Sequence, residues 1–147
     1  MLFVTIVVLT VVYILNWNVA RCAVVTGNSM NPALSNGKIV FINRISHIYD
    51  RYDVIVIKSK RLNKNIVKRI IGMPGDTVLI KNGYIYINGR KLNENYGNEK
   101  IQNGGIAETE QFLDKGEYFV LGDNRNDSID SRKIGFIKEK EIVGKLW

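Results

Sequence analysis

The sequence predicts a mainly β protein, an antiparallel β-barrel or two-sheet domain standing on a single N-terminal transmembrane helix. Three observations carry this. Residues 1–20 contain no Asp, Glu, Lys or Arg, and sixteen of them are apolar. The other 127 residues hold all 35 charged residues, about 28% of that part, an ordinary soluble composition. Short runs rich in Val, Ile, Tyr and Phe recur there between turn signals. The chain therefore divides into an anchor, residues 1–20, and one globular domain, residues 21–147.

The anchor comes first. The run Leu2–Leu15 is broken only by Thr5 and Thr10. A helix over Leu2–Asn18 would be roughly 25 Å long. That is slightly short of a hydrocarbon core of about 30 Å, and Val19 and Ala20 extend it. Tyr13 and Trp17 suit the headgroup interface. A cleaved leader would want a basic start and an Ala-x-Ala site, and neither is present. A lipid-modified Cys22 would want a small residue where Arg21 stands. A buried core helix would carry a charged solvent face. Arg21, the first cation, weakly places the C-terminal side in the cytoplasm.

The strands follow in order: Lys38–Arg44, Asp53–Lys58, Ile66–Ile71, Thr77–Ile80, Tyr84–Ile87 and Tyr118–Leu121. Asn82-Gly83 and Asn88-Gly89 are type I′ hairpin signals, because both central positions of that turn need positive φ. Pro74-Gly75 suits a type II turn. The segment Asn93–Glu110 is polar and rich in Gly and Asn, so it reads as a surface loop. No long amphipathic helix follows the anchor, and no internal repeat is present.

The composition excludes several chemistries. One cysteine, Cys22, cannot form an intramolecular disulfide or a Cys-rich zinc site. One histidine, His47, cannot supply a two-His metal site, and its mixed loop-like surroundings read as surface. No metal or cofactor is expected. Net charge is +7, and Lys58, Lys60, Arg61, Lys64, Lys68 and Arg69 form the densest basic cluster. No aromatic platform or binding motif accompanies it, so nucleic acid is not expected. A solvated strand edge, or attraction to anionic headgroups, accounts for it.

A serine paired with a lysine remains. A Ser hydroxyl needs a base to become a nucleophile, and Lys serves only when desolvation keeps it neutral. Ser29 sits in the tight turn Gly27-Asn-Ser-Met-Asn-Pro32. Lys68 lies on a strand where Ile66 and Ile70 share its face, while Arg69 shares the other with Val67 and Ile71. Periodicity allows Lys68 to be buried without preferring it to Arg69. A third segment, Gly122-Asp-Asn-Arg-Asn-Asp-Ser-Ile-Asp-Ser-Arg132, is a polar turn after an apolar strand.

In this order, Gly27–Pro32, Arg51-Tyr-Asp-Val-Ile-Val56, Val67-Lys-Arg-Ile-Ile-Gly-Met-Pro-Gly-Asp76 and Gly122–Arg132 resemble bacterial type I signal peptidase, the Ser-Lys form. The resemblance implies that residues 21–147 are a peptidase domain. Ser29 would be the nucleophile and oxyanion donor, Lys68 the general base, and Ser128 a hydrogen-bond partner orienting the amine. Asp123, Arg69, Asp130 and Arg132 would be structural ion-pair residues. Gly27 stands where some members carry a second, hydroxyl oxyanion donor. The substrate would lie extended beside Val24, Val25 and Thr26 on one side and Ile66 and Val67 on the other.

The implied partners are membrane lipid and signal peptides of secreted preproteins with small residues before the cut, and the implied state is a monomer. The implied location is the cell membrane, single-pass. Because substrates emerge on the extracytoplasmic face, the catalytic domain belongs there too, against the weak signal of Arg21. Three other readings compete. A non-catalytic peptide-binding accessory in surface-protein assembly would not need both Ser29 and Lys68. A self-cleaving repressor would need a DNA-binding segment in place of residues 1–25. A plain anchored β-domain would leave Lys68 at its ordinary pKa.

Overall fold

A computed structural model describes residues 1–97 and 99–147, with the side chains of all these except 11–20. The chain opens with helix α1, Leu2–Val19. Tyr13 and Trp17, expected at a headgroup interface, have side chains outside the described residues. Among the described residues no helix is long and apolar enough to cross a membrane.

The domain is mainly β, and its paired strands are antiparallel in two sheets, as the sequence predicts. The first sheet contains β1 (Ala20–Val24), β2 (Ile39–Asn43), β3 (Val54–Ser59), β4 (Lys64–Gly72), β9 (Glu117–Leu121), β10 (Ile137–Lys138) and β11 (Ile142–Leu146). Their order is β1-β2-β11-β3-β4-β9-β10. The second contains β5 (Thr77–Lys81), β6 (Tyr84–Ile87), β7 (Arg90–Lys91) and β8 (Gln111–Phe112), in the order β7-β6-β5-β8. A short helix α2, Ser131–Ile134, follows the polar turn after β9.

The turns follow their residues. Asn82 and Gly83 have φ of 54° and 80°, and Asn88 and Gly89 have 51° and 74°. Both central positions are left-handed, which matches the twist of the strands that each turn joins. At Pro74-Gly75 the Asp76 amide donates to the Met73 carbonyl at 3.0 Å, and Gly75 has φ 87°. That is the geometry in which Gly supplies the positive φ of a type II turn.

β4 and β9 are buried on both faces. Ile71, Phe119 and Leu121 pack with Val78, Ile80 and Leu113 between the two sheets. Ile70, Tyr118 and Val120 pack with Ile55, Ile57 and Ile134 on the other side. A third cluster, Val25, Met30, Leu34 and Val40, lies beneath the Ser29 turn with Val67 against it. β4 therefore touches all three clusters, which is why its sequence is apolar on both faces. The basic cluster splits along the same line. Lys58, Lys60, Arg61 and Lys64 are exposed, while Lys68 and Arg69 are buried.

Phe119 is fully buried where the two sheets meet. Phe119→Ala should cost about 3–5 kcal/mol, read as a lower urea midpoint of the full chain in detergent.

Candidate active site

The Ser29 turn is built by its neighbours. Gly27 takes φ 91°, and its amide donates to Asn36 Oδ1 at 2.9 Å. Met30 is 1% exposed and fills the cluster beneath. Ser29, next to it, is half-buried, and its hydroxyl meets the buried Lys68 amine. From across the molecule Asn124 holds the turn in place. Its amide donates to the Ser29 carbonyl at 3.1 Å, and its Nδ2 donates to the Asn28 carbonyl at 3.3 Å.

Lys68 and Arg69 are both buried, at 3% and 6% exposed. Their partners differ. Arg69 makes a two-pronged pair with Asp123, Nε to Oδ1 at 2.8 Å and Nη2 to Oδ2 at 2.6 Å. It also donates to the Tyr52 carbonyl at 2.9 Å and stacks 3.8 Å from the centre of the Tyr96 ring. Among the described residues Lys68 has no carboxylate in contact. Its Nζ lies 2.7 Å from Ser29 Oγ and donates to the Val67 carbonyl at 2.9 Å. Burial pushes the Lys68 amine down from 10.5 to about 8, against an upward pull from Asp130 and Asp123. A desolvated ammonium with no counter-ion loses its proton more readily.

The polar turn after β9 is a scaffold. Asp130 accepts from the Gly122 amide at 3.1 Å and is gripped by Arg132, Nε at 2.8 Å and Nη2 at 2.8 Å. Arg132 Nη1 reaches the Asn103 carbonyl at 3.2 Å. Gly122 is required by close approach: a Cβ there would run into Ser128 and the Ser29 carbonyl.

Ser128 departs from expectation. It lies beside Gly122 and close to the Ser29 turn, but among the described residues its buried hydroxyl has no hydrogen-bond partner. The Lys68 amine is held by the Val67 carbonyl instead, because β4 turns its own carbonyl toward that amine. Val25 and Ile66, expected at the substrate strand, are buried with their side chains in the core. Val24 and Thr26 are exposed and Val67 is half-buried. The Val25 backbone is occupied as well, its amide donating to the Lys38 carbonyl and its carbonyl accepting from the Gly37 amide, both at 2.8 Å. His47 and Cys22 are exposed, as their contexts predict.

Asn124, Tyr52 and Tyr96 were not singled out in the sequence. Asn124 falls inside the quoted Gly122–Arg132 turn, so the motif held the signal without assigning it a role. Tyr52 likewise falls inside the quoted Arg51–Val56 segment, and only Tyr96 carried no local signal.

Ser29 and Lys68 line neither of two surface clefts. One, about 320 Å³, lies against Tyr84, Lys91, Glu94, Lys100 and Arg125. The other, about 180 Å³, lies against Asn31, Pro32, Glu99, Asp123, Asn124 and Arg125. The Ser–Lys pair instead sits between strand edges. β1 pairs only with β2, and β9 pairs with β4 only from Arg69 onward. Open edges of this kind receive an extended chain rather than a compact small molecule.

The profile of the family described as signal peptidase, peptidase S26, matches residues 1–147. The chain belongs to that family. This S26 peptidase is 39% identical over 158 aligned positions to a signal peptidase I of Bacillus caldolyticus, covering 88% of this chain and 85% of the relative. Signal peptidase I S of Bacillus subtilis (strain 168) is 43% identical over 133 positions, 82% of this chain and 71% of its own. A crystal structure of a signal peptidase I from Enterococcus faecalis V583 matches with TM-score 0.59 at 36% identity, covering 68% of this chain and 97% of that one. The S26 peptidase is accordingly a serine-type hydrolase.

The buried Lys68 has a stability signature. Between about pH 8 and 10.5 the folded chain holds the amine while the unfolded chain holds the ammonium. Folding then releases a proton, so stability falls as pH drops from 10.5 to about 8 and stays lowered below that. Lys68→Met removes the effect. The variant should be more stable than wild type at pH 7, by up to about 3 kcal/mol at ~1.36 kcal/mol per pH unit. The gap should narrow at pH 10, read by urea titration at the two pH values.

Proposed function

We propose that this S26 peptidase removes N-terminal signal peptides from secreted preproteins, with Ser29 as nucleophile and Lys68 as general base. The observation that carries the reading is the 2.7 Å pair of Ser29 Oγ with an amine lowered to about 8 and not ion-paired among the described residues. The relatives' names, signal peptidase I, support the substrate class.

The chemistry follows from the pair. Neutral Lys68 takes the Ser29 hydroxyl proton as Oγ attacks the carbonyl of the scissile bond. The Ser29 amide has no acceptor among the described residues, which leaves it free to donate to the developing oxyanion. The Lys68 ammonium then gives its proton to the departing amine, and an acyl-enzyme on Ser29 remains. Lys68, neutral again, deprotonates a water that hydrolyses the ester and frees the severed peptide. The acyl side of the substrate lies between Val24–Thr26 and Asn65–Lys68. Val25 bonds β2's side through its amide and carbonyl, so the Val24 and Thr26 backbone groups face the open edge. Shallow pockets there take small residues before the cut. Both reacting residues come from one chain, which supports a monomer.

The same reading places residues 1–20 in the membrane as a single-pass anchor with the domain on the extracytoplasmic side. α1 runs directly into β1. Register pairs Val24 with Ile39 and Cys22 with Phe41, and all four are exposed on one face next to that junction. Such a face suits contact with lipid. A peptide-binding accessory would gain nothing from an amine held near neutrality against a serine.

Cleavage of a preprotein in lipid, with the cut located by mass spectrometry, tests the chemistry. Wild type should cut after a small residue, and Ser29→Ala and Lys68→Ala should each lose at least about 10³-fold in kcat/KM. The wild-type rate should rise about tenfold per pH unit below pH 8 and level off above it, because only the neutral amine is a base. Full activity of Ser29→Ala would remove the assignment. Topology is tested by adding protease outside intact cells: the domain should be digested or nicked there, and full protection would place it in the cytoplasm.

A further inference from the structure

The two clefts share walls. Glu99 and Arg125 line both, so together they form one groove. Asn31, Pro32 and Asn124 stand at one end, and Tyr84, Lys91 and Lys100 at the other. The first end adjoins the nucleophile: Asn31 and Pro32 follow Ser29 in the chain, and Asn124 bonds its carbonyl. The edges assigned to the acyl side, Val24–Thr26 and Asn65–Lys68, line no part of this groove. The groove and the acyl-side edges are therefore separate surfaces, and Ser29 adjoins both.

The walls are suited to a peptide. Arg125 is 4% exposed, held by Glu94 Oε1 at 2.5 Å and the Tyr96 carbonyl at 2.9 Å. Among the described residues, Arg125 Nε and Glu94 Oε2 are buried without hydrogen-bond partners. Both atoms are shut off from the groove, Arg125 Nε by Gly97, so this pair braces the wall and the surface that a peptide meets is made by the other residues. The charge is also directional. Glu94 is neutralised by Arg125, while Glu99 accepts from the uncharged Asn126 Nδ2 at 2.9 Å and keeps its charge, so two free lysines stand against one free carboxylate among the described residues. Lys91 and Lys100 flank the Tyr84 ring, with Nζ 3.3 and 5.3 Å from its centre, and neither is ion-paired among the described residues. The ring holds both ammonium groups in place through its negative face.

We propose that this groove carries the preprotein segment that follows the scissile bond, and that Lys91 and Lys100 make it favour an acidic residue there. The inference rests on the peptidase reading above.

The test uses one preprotein, unchanged up to the cut, with Asp, Ser or Lys placed singly across about ten residues after it, a reach of roughly 33 Å if extended. At low salt, wild type should prefer Asp to Lys at one or more of these positions by about 3–10-fold in kcat/KM. The preference should flatten at about 0.5 M salt and invert in Lys91→Glu/Lys100→Glu. Lys140→Glu, exposed and outside the groove, should keep the wild-type ratio. Circular dichroism checks that the variants fold. An Asp-to-Lys ratio unchanged in the double variant overturns the proposal. So does a ratio that follows the anionic lipid content of the vesicles and not Lys91 and Lys100. If wild type cuts none of these substrates, the peptidase reading fails, and binding decides the groove. Labelled ten-residue acidic and basic peptides are then compared by fluorescence anisotropy. Tighter binding of the acidic peptide, lost in the double variant, upholds the groove, and equal binding refutes it.

Discussion

Two adjacent cations on β4 are both buried, and only one of them has a carboxylate. The structure around Ser29 depends on that asymmetry. Arg69 is compensated on both prongs by Asp123, so its charge is stable in the interior. Lys68 has no such partner among the described residues, so its charge is the expensive form. Had Asp123 faced Lys68 instead, the amine would have stayed an ammonium, unfit for the general-base role proposed for it. The Arg69–Asp123 pair therefore keeps a carboxylate away from the Lys68 amine. It also draws the turn after β9 toward β4, which sets Asn124 against the Ser29 carbonyl.

The same turn is secured a second time by Asp130, which joins the Gly122 amide to Arg132. Buried ionic groups of this kind are poor sources of net stability but strict about geometry. Apolar packing holds the site from below: Met30 anchors the serine turn, and Val67 packs beneath it. Polar bonds fix the position of Ser29 from above and apolar contacts fix it from beneath. Its hydroxyl is left pointing at the amine.

The six strands read from composition are all present, because each is a compact β-branched run between strong turn residues. β1, β11 and the two-residue strands β7, β8 and β10 were not read. Ala20–Val24 begins where the apolar run ends, so its alternation is hidden by what precedes it. Ile142–Leu146 includes Gly144, where the register shifts against β3, and a short charged stretch precedes it. The choice between Lys68 and Arg69 could not be made from periodicity, since both faces of β4 are apolar. It is made by Asp123, 54 residues away from Arg69. The resemblance implied that Ser128 bonds the Lys68 amine; among the described residues the Ser128 hydroxyl has no hydrogen-bond partner, and the amine donates to the Val67 carbonyl. The groove was invisible for a different reason: its walls come from four separate segments, the serine turn, the β6–β7 hairpin, the polar stretch after residue 92 and the turn after β9.

β11 has a consequence for the order of assembly. It is the last strand in the chain, yet it lies in the middle of the larger sheet, between β2 and β3. On one side of it are β1, β2 and the serine turn; on the other are β3, β4 and the lysine. The two halves of the site are joined through a strand made more than seventy residues after Lys68. Contacts so distant in sequence form late, after a large loop has been closed. Ser29 and Lys68 therefore stay on separate pieces of a folding chain until β11 has paired with both β2 and β3.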